Sequence, residues 1–423
     1  MKQSRGIFRF RWVSATILVI GLAMTPGLTL SADSTNNGAA GDWLARYADA
    51  RSVGLGSALV AVADEPIGVL WNPAGVGRLD RNGVQLGTAQ LFEGTSINSL
   101  SFAVPNRRLP SFGLTILSLS SGDFEQTNEL NERLGDFSAK DFAFLLTGGL
   151  NLSPRWAVGA NFKVVRQSIE DFNASGVGVD LGAIGALTDV VHVGASVLNL
   201  GGPSLTLREV DESYPEEIRA GFALHLLDGN ALVTAEVDHR DGPGATVLAG
   251  GEFWIHSSLG LRLGYYFEKV AGGFSYRFAG GDWQFDYGVS DHDLGVTHRF
   301  GLAYRFGGFF SRSQAVPEIF SPTGQNPVTK FMLTTRTKAD AESWQLTITN
   351  KSNEVVRSFG GQGVPPAHVI WDGKDETGLP LPDGVYRYRM VVNDADGRQY
   401  ESKNRQVEIS TGGPEGSVPV VIE

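Results

Sequence analysis

The stretch that decides the fold is Arg299-Phe300-Gly301-Leu302-Ala303-Tyr304-Arg305-Phe306. Its apolar and aromatic side chains occupy every second position, which places them on one face of an extended strand and leaves the two arginines on the other. A strand with one face in lipid and one in water has this pattern. The stretch therefore predicts a strand of a transmembrane β-barrel.

The same alternation recurs from residue 83 to residue 306. Many runs approach the roughly nine to eleven residues that cross a bilayer at a tilt of about 45°. We count about fourteen segments, with 12 and 16 as the neighbouring even counts; they begin near Gly83, Ser96, Pro110, Ser138, Arg155, Ala174, Val190, Pro215, Asn230, Gly244, Ser258, Val270, Asp282 and Val296. Long polar connections at 126–136 and 201–214 contrast with the tight turn Ser153-Pro154. These features predict an all-β chain built on an antiparallel barrel that spans residues 83–306.

The composition restricts the compartment and the chemistry. With no cysteine among 423 residues, disulfides, thiolate metal sites and cysteine nucleophiles are excluded. Residues 1–32 combine four early basic residues with an apolar run of about thirteen residues, shorter than the roughly twenty of a spanning helix, which predicts a cleaved export signal. Without those four, 31 basic residues face 46 acidic ones, a net charge of about −15, so binding to nucleic acid is disfavoured.

Charged side chains fall on the strand face opposite the aromatic one. This face is predicted to line the lumen, either as a charged pore that selects solutes or as a set of ion pairs that fills the interior. We favour the ion pairs, because an unpaired charge in a narrow lumen is costly. The predicted lumen-facing residues are Lys163, Arg219, Glu236, Asp238, Glu252, Arg262, Arg277, Asp286, Arg299 and Arg305.

The last segment has a second pattern, in which a polar residue and a glycine precede two aromatic residues. The residues are Arg299, Gly301, Tyr304 and Phe306. The pattern resembles the recognition strand that the bacterial barrel-insertion machinery uses. The resemblance implies that machinery, and outer-membrane lipid, as partners.

A small-residue segment precedes the barrel, within residues 33–82. It is predicted to be partly helical and to pack closely on a wall, and Asn72 and Pro73 suit the N-cap and first position of a helical turn. The residues that carry its pattern are Gly54, Gly56, Ala58, Ala63, Asp64, Asn72, Pro73, Ala74 and Gly75. This pattern resembles the N-terminal motif of the PorV/PorQ barrels, which are related to the FadL fatty-acid transporters. The resemblance implies a plug inside a fourteen-stranded outer-membrane barrel, with either a role in type IX secretion or conduction of hydrophobic molecules.

A second β domain is predicted at 328–410, after a linker at 307–327 and before a flexible tail at 411–423. Its pattern residues are Trp371, Asp372, Gly373, Gly378, Gly384 and Tyr386. The stretch around Trp371 resembles the Ig-like domain of flagellar hook-capping proteins, which implies a β-sandwich that hangs in the periplasm. Asp372, Asp375 and Glu376 could bind calcium, but turn-forming acids are more common than ligands, and we predict no metal.

Catalytic motifs are absent from the sequence. It contains no Gly-x-Ser-x-Gly elbow, no His-Glu-x-x-His pair and no phosphate loop, so we expect no enzyme and no cofactor. Two functions remain. The first is a secretion-associated or scaffold barrel whose partners are a translocon or exported proteins, and the alternative is a passive channel for hydrophobic small molecules.

Overall fold

The computed structural model describes residues 41, 43–44, 49–92, 94–106, 109–128, 130, 132–170, 172–207, 210–227, 229–240, 244–266, 269–292 and 295–411. The predicted export signal at 1–32 lies outside these residues, as do the first eight residues of the predicted plug segment and the predicted tail beyond residue 411. Within the described ranges, the chain has no helix of the length and apolarity required to span a bilayer.

The described part of the chain forms a closed antiparallel barrel of fourteen strands. The strands are β1 (Asn82–Gln90), β2 (Ser96–Val104), β3 (Ser111–Thr127), β4 (Arg133–Asn151), β5 (Trp156–Ile169), β6 (Phe172–Ala186), β7 (Val191–Leu200), β10 (Glu217–Leu226), β11 (Ala231–Arg240), β12 (Gly244–His256), β13 (Leu259–Tyr266), β14 (Lys269–Phe278), β15 (Trp283–His292) and β16 (Gly295–Phe306). A small hairpin of β8 (Ser204–Leu207) and β9 (Val210–Ser213) lies between β7 and β10. The barrel predicted from the alternation is confirmed.

The first and last strands close the barrel. Leu86 of β1 pairs with Leu302 of β16, and Asn82 pairs with Phe306, so the chain enters and leaves the barrel at the same end. We call this end the near rim and the opposite end the far rim. The turns at the near rim are short; only residues 257–258 separate β12 from β13.

The predicted polar loop at 126–136 is wrong in its extent. Residues 121–127 and 133–138 instead extend β3 and β4 as a two-stranded ribbon beyond the far rim. Glu125 pairs with Asp136, and the rings of Phe124 and Phe137 lie 5.4 Å apart between centroids. The sequence does not reveal these parts of the strands, because polar residues lie on both faces. Apolar and polar residues alternate only where one face of a strand is in an apolar environment. The predicted loop at 201–214 likewise contains the β8–β9 hairpin.

The residues before the barrel form α1 (Ala50–Gly54), a 3-10 helix (Pro66–Leu70) and α2 (Gly75–Arg78) joined by turns. We call residues 49–79 the plug. The helix α2 begins at Gly75 with Ala74 as its N-cap, later than the predicted cap at Asn72. Asn72 caps the turn that leads into it, because its Oδ1 accepts from the Ala74 amide (3.1 Å) and its carbonyl oxygen accepts from the Gly75 amide (3.1 Å) in an Asx-type turn.

The C-terminal domain is a β-sandwich of two main sheets. One sheet has the order β17-β19-β22 and the other the order β18-β25-β23-β20-β21, with β24 paired to β23. The strands are β17 (Phe310–Val316), β18 (Ile319–Phe320), β19 (Thr329–Arg336), β20 (Ala341–Thr349), β21 (Val355–Gln362), β22 (His368–Trp371), β23 (Gly384–Asp394), β24 (Gln399–Glu401) and β25 (Arg405–Ile409). Its core surrounds Trp371, which contacts the rings of Phe320, Phe331 and Tyr386.

The predicted linker at 307–327 contains two of these strands. Residues 310–316 pair along β19, and Ser311, Ser313 and Ala315 point inward, so this stretch belongs to the sandwich. Small and polar inward residues conceal the strand in the sequence. A short connection at Gly307-Gly308 therefore separates the two domains, and both glycines have positive φ.

Candidate functional site

The plug lies inside the barrel and fills its lumen. Residues 49–77 are buried except at Asp64, and their apolar side chains share one core with inward residues of the wall, such as Leu117 and Leu145. Asp49 caps α1, because its Oδ2 accepts a hydrogen bond from the Ser52 amide at 2.8 Å. An irregular segment in this position has many backbone polar groups with no helix or sheet partner, and each must find one elsewhere.

Polar side chains of the wall provide those partners. Asn161 donates to the carbonyl oxygen of Val69 (Nδ2···O 2.9 Å), and Thr234 donates to that of Ala58 (Oγ1···O 2.8 Å). Glu236 accepts from the amide of Val60 (Oε2···N 2.8 Å). The inward polar residues of the wall therefore complete the hydrogen bonding of the plug backbone.

Asn72 is the central residue of the plug pattern. Its Nδ2 lies 2.8 Å from the carbonyl oxygen of Val60, 3.0 Å from that of Ala183 and 3.2 Å from that of Ala195. The side chain is fully buried. One amide group thus joins two parts of the plug to β6 and β7, which explains why an asparagine stands at this position.

Glycines of the wall allow the plug backbone to touch the strands. A Cβ atom on Gly264 would lie 2.0 Å from the amide nitrogen of Gly56, and one on Gly250 would lie 2.3 Å from the carbonyl oxygen of Leu55. Real Cβ contacts are longer than 3.0 Å, so neither site accepts a side chain unless the plug moves. An added Cβ atom would also lie within 3.0 Å of plug atoms at five further wall glycines, Gly149, Gly159, Gly182, Gly194 and Gly288.

The remaining pattern residues lie at these contacts. Gly56 has a φ of +62° and faces the backbone of Tyr265, where a Cβ would meet atoms at 2.6 Å. Ala63 packs with Ala74 and two wall residues, and Gly75 lies so close to Ala63 that its Cβ would be 2.2 Å from the Ala63 carbonyl oxygen. The last three lie against the wall: Gly54 beside Arg262, Pro73 beside Gly159 and Ala58 beside Leu248.

An ion-pair network joins the plug to β12, β13 and β16. Arg51 of the plug contacts Asp64 (Nη1···Oδ1 2.5 Å) and Glu252 of the wall (Nε···Oε2 2.9 Å). Arg262 contacts the same Glu252 carboxylate at 2.6 Å and extends the network to Asp286 at 3.0 Å. At the near rim, Arg305 contacts Glu65 of the plug at 3.1 Å.

The other predicted lumen residues are also inside the barrel. Arg219 contacts Glu217, Glu236 and Asp238, and Lys163 contacts Asp180 at 2.6 Å. Arg277 stacks on the ring of Trp254, with its Cζ 3.6 Å from the centroid, and Arg299 donates to the hydroxyls of Ser290 and Thr297. The lumen charges are mostly paired, which is the arrangement that we favoured.

Sequence reasoning missed the partners that come from elsewhere in the chain. Arg51 and Glu65 are on the plug, and Asp180, Glu217 and Arg240 are inward charges of β6, β10 and β11 that were not among the predicted residues. The alternation on β6, β10 and β11 places Asp180, Glu217 and Arg240 on the inward face, so a more complete reading of phase would have found them. No signal of this kind exists for Arg51, because the plug has no regular period.

One side of the inner wall carries several large apolar residues, beside inward polar residues such as Ser101, Thr115 and Lys163. Ile97, Leu117, Leu145 and Val165 point inward from β2 to β5 and pack with the side chains of the plug, among them that of Trp71. The charged residues lie mainly on β10 to β16, on the opposite side. The lumen therefore has a more apolar side and a charged side, with the plug between them.

The C-terminal domain contacts the plug where the plug leaves the lumen. The ammonium group of Lys338 donates to the carbonyl oxygens of Gly77 (3.1 Å) and Leu79 (2.7 Å) and lies 3.3 Å from a carboxylate oxygen of Asp80. The Lys338 side chain is 4% exposed, and burial lowers its pKa to about 8. Next to it, the Phe309 amide donates to the Asp80 carbonyl oxygen (N···O 2.6 Å).

A second contact reaches the turn between β14 and β15. Lys403 of the C-terminal domain lies 3.3 Å from the Asp282 carboxylate, and Arg81 contacts the other oxygen of that carboxylate at 2.9 Å. We use the word seam for the surface on which the domain meets the near rim. The seam covers the end of the plug.

The predicted insertion residues divide between the two faces of β16. Arg299 and Gly301 point into the lumen. Tyr304 and Phe306 point outward, and the ring of Tyr304 stacks with those of Trp283 (centroids 4.5 Å apart) and Phe306 (5.4 Å). They form part of an aromatic cluster on the outer face of β14 to β16.

The predicted Ig-like pattern residues lie at turns and in the sandwich core. Trp371 donates to the carbonyl oxygen of Lys374 (Nε1···O 2.9 Å), and Tyr386 donates to that of Pro382 (Oη···O 2.7 Å). The turn glycines Gly373, Gly378 and Gly384 all have positive φ.

The three acids considered for calcium bind backbone amides. Asp372 accepts from the Lys374 amide, Asp375 from those of Thr377 and Leu379, and Glu376 from that of Ser358. Among the described residues, no group of three or more acids, histidines or cysteines is placed to hold a metal ion.

One comparison with known proteins concerns the C-terminal domain. The family model described as "FlgD Ig-like domain" matches residues 322–396, which confirms the resemblance seen around Trp371. No curated protein matches the chain.

Solved structures give the second comparison. The toluene transporter TbuX of Ralstonia pickettii is 14% identical over 62% of this chain and 99% of its own, with a TM-score of 0.47. A Pseudomonas aeruginosa FadL homologue is 12% identical over 62% and 99%, with a TM-score of 0.46. The KdgM porin is 9% identical over 53% and 99%, with a TM-score of 0.31. At this level of similarity, the function has to be argued from the side chains of this chain.

Proposed function

We propose that the protein is an outer-membrane barrel that is closed by its own plug and holds an Ig-like domain at its periplasmic rim, where the domain serves as a scaffold for other proteins. The outward face of the strands supports a bilayer environment, because large apolar side chains are exposed there. Examples are Leu86, Phe102, Phe112, Phe144, Phe162, Phe222, Phe253 and Leu263. A nine-residue strand such as β1, tilted at about 45°, rises about 20 Å, near the roughly 25 Å apolar band of such barrels.

The two rims support an orientation. Most turns are short at both rims, but only the far rim carries larger additions, namely the β3–β4 ribbon and the β8–β9 hairpin. Outer-membrane barrels have short periplasmic turns and longer extracellular loops. In this orientation the Ig-like domain lies in the periplasm.

The closed lumen is the observation that favours a scaffold over a channel. The plug is joined to the wall by buried hydrogen bonds and ion pairs, and the seam covers its exit through Lys338. A molecule that crossed the barrel would have to break these contacts. A closed barrel that presents a folded domain is suited to holding partners, and we expect no catalytic activity from it.

The finer hypothesis is that the partners are exported proteins or a secretion translocon, as the PorV/PorQ-like plug pattern implies. The test is affinity purification of the full-length chain from crosslinked envelopes, beside a variant that lacks residues 309–411. Exported or translocon proteins should be recovered with the full-length chain and lost with the variant. If both forms recover the same proteins, the Ig-like domain is not the scaffold.

A second candidate is a channel for hydrophobic small molecules, and the apolar side of the inner wall favours it. Such a channel needs the plug to move away from Leu117 and Leu145. Purified protein in vesicles should then take up a fluorescent hydrophobic probe faster when the plug contact is weakened by Asn72→Ala. Equal uptake by the wild type, the variant and protein-free vesicles would exclude the channel.

A further inference from the structure

A charged cleft of about 570 Å³ lies in the seam, between the near rim and the Ig-like domain. The barrel side contributes Arg78 at the end of the plug and Arg155 in the turn between β4 and β5. The Ig-like domain contributes Lys338 and Arg398. The side-chain contact between these two described residues is one exposed hydrogen bond, from Arg78 to the carbonyl oxygen of Arg155, so their charges in the cleft need a separate explanation.

Three basic residues of the cleft have a carboxylate within ion-pair distance. Lys338 pairs with Asp80, Arg398 pairs with Asp396 at 3.0 Å, and Arg155 lies 3.6 Å from Asp189, whose side chain is 99% exposed.

Arg78 lies in no ion pair with any described residue. Its guanidinium donates one hydrogen bond, to the carbonyl oxygen of Arg155 at 3.3 Å. Burial and then the charge of Arg398 lower the pKa of Arg78, and the charge of Asp80 acts against them.

Arginines gathered in this way match the chemistry of a phosphate group. The guanidinium fork donates parallel hydrogen bonds to phosphate oxygens, and a phosphate can accept from several arginines together. Arg398 also reaches toward the barrel, with its Nη2 3.5 Å from the carbonyl oxygen of Pro154 beside Arg155. We propose that Arg78, Arg155 and Arg398 form a site for an anionic phosphate group at the seam. The bound group would connect the barrel to the Ig-like domain and stabilise their contact.

Both a lipid headgroup and a soluble phosphate have this chemistry, and the experiment separates them. Full-length protein in detergent is titrated calorimetrically with inorganic phosphate. Protein in nanodiscs of phosphatidylcholine, with and without phosphatidylglycerol, is compared by its thermal midpoint. The variants are Arg78→Gln on the barrel side and Arg398→Gln on the domain side. Arg133→Gln is the control, because it removes the same charge from an exposed position on the far ribbon.

We expect each seam variant to weaken phosphate binding about tenfold or more, and the control to bind as the wild type does. A response to inorganic phosphate identifies a soluble ligand, and a response to phosphatidylglycerol alone identifies the headgroup. Two seam variants are used so that, if one of them fails to fold, the other still tests the proposal. The proposal is overturned if the wild type responds to neither probe, or if the seam variants respond as the control does.

Discussion

The contact between Gly264 and the plug gives the sharpest prediction. Substitution Gly264→Ala places a Cβ atom 2.0 Å from the amide nitrogen of Gly56, whereas ordinary contacts begin at 3.4 Å. The plug must therefore retreat by about 1.4 Å, the difference between the two distances, or β13 must move outward. Overpacking of a well-filled interior costs about 1–3 kcal/mol, and we expect this range for the free energy of unfolding.

Gly148 on β4 provides a matched control. It faces outward, and a Cβ on it would meet no atom within 4 Å. Gly148→Ala makes the same chemical change in a strand of the same barrel, without contact with the plug. We expect it to be neutral or to stabilise by up to about 1 kcal/mol, because alanine restricts the unfolded chain.

The assay uses the absence of cysteine from the chain. Ala58→Cys places a single thiol at a fully buried plug position, and its rate of reaction with a maleimide reports the opening of the plug. A loss of 1–3 kcal/mol corresponds to labelling about 5- to 150-fold faster for Gly264→Ala in this background. Equal labelling rates and equal urea midpoints for the two alanine variants would refute the close-contact argument.

Three further predictions concern side chains. Asn72→Ala leaves buried carbonyl oxygens without a donor and should cost about 1–3 kcal/mol or more, seen as a lower urea midpoint in vesicles. Arg262→Gln leaves buried carboxylates uncompensated and should cost about 3–5 kcal/mol in the same assay, whereas Arg133→Gln at an exposed pair should leave the urea midpoint close to that of the wild type. Lys338 has a pKa of about 8 in the seam and an ordinary value of 10.5 when released, so the released form binds more protons between these pH values. Docking of the Ig-like domain should therefore strengthen as the pH rises from about 8 to about 10.5, and distances between spin labels on the two domains should show this in the wild type and not in Lys338→Met.

The barrel could be predicted from the sequence because lipid and lumen impose a period of two on every strand. The predicted starts at Ser96 and Gly244 coincide with those of β2 and β12. The prediction failed where that period is not imposed. Beyond the far rim, the ribbon at 121–138 has solvent on both sides, and in residues 310–316 the inward positions are serine and alanine.

The inward direction of the lumen charges could also be predicted from strand phase, but their partners could not. One partner of Glu252 is Arg51, which is 201 residues away in the chain. Arg51 lies in the plug, where apolar and polar residues do not alternate with a regular period. The contact depends on where the plug rests in the lumen. That position follows from many weak restraints, such as the contact between Gly264 and Gly56, which become visible only when both segments are placed in space.

The plug pattern shows how a short sequence motif can acquire its meaning from the surrounding wall. Asn72 in a loop would be an ordinary turn residue, and its Oδ1 does make an Asx-type turn. The Nδ2 contacts with Ala183 and Ala195 exist only because the neighbouring strands β6 and β7 present these two paired residues to it. Gly182 and Gly194 stand beside those alanines, and a Cβ on either would lie 2.1 Å from a plug atom. The asparagine and the wall glycines are therefore one structural unit, so a change in either should open the plug at the same place.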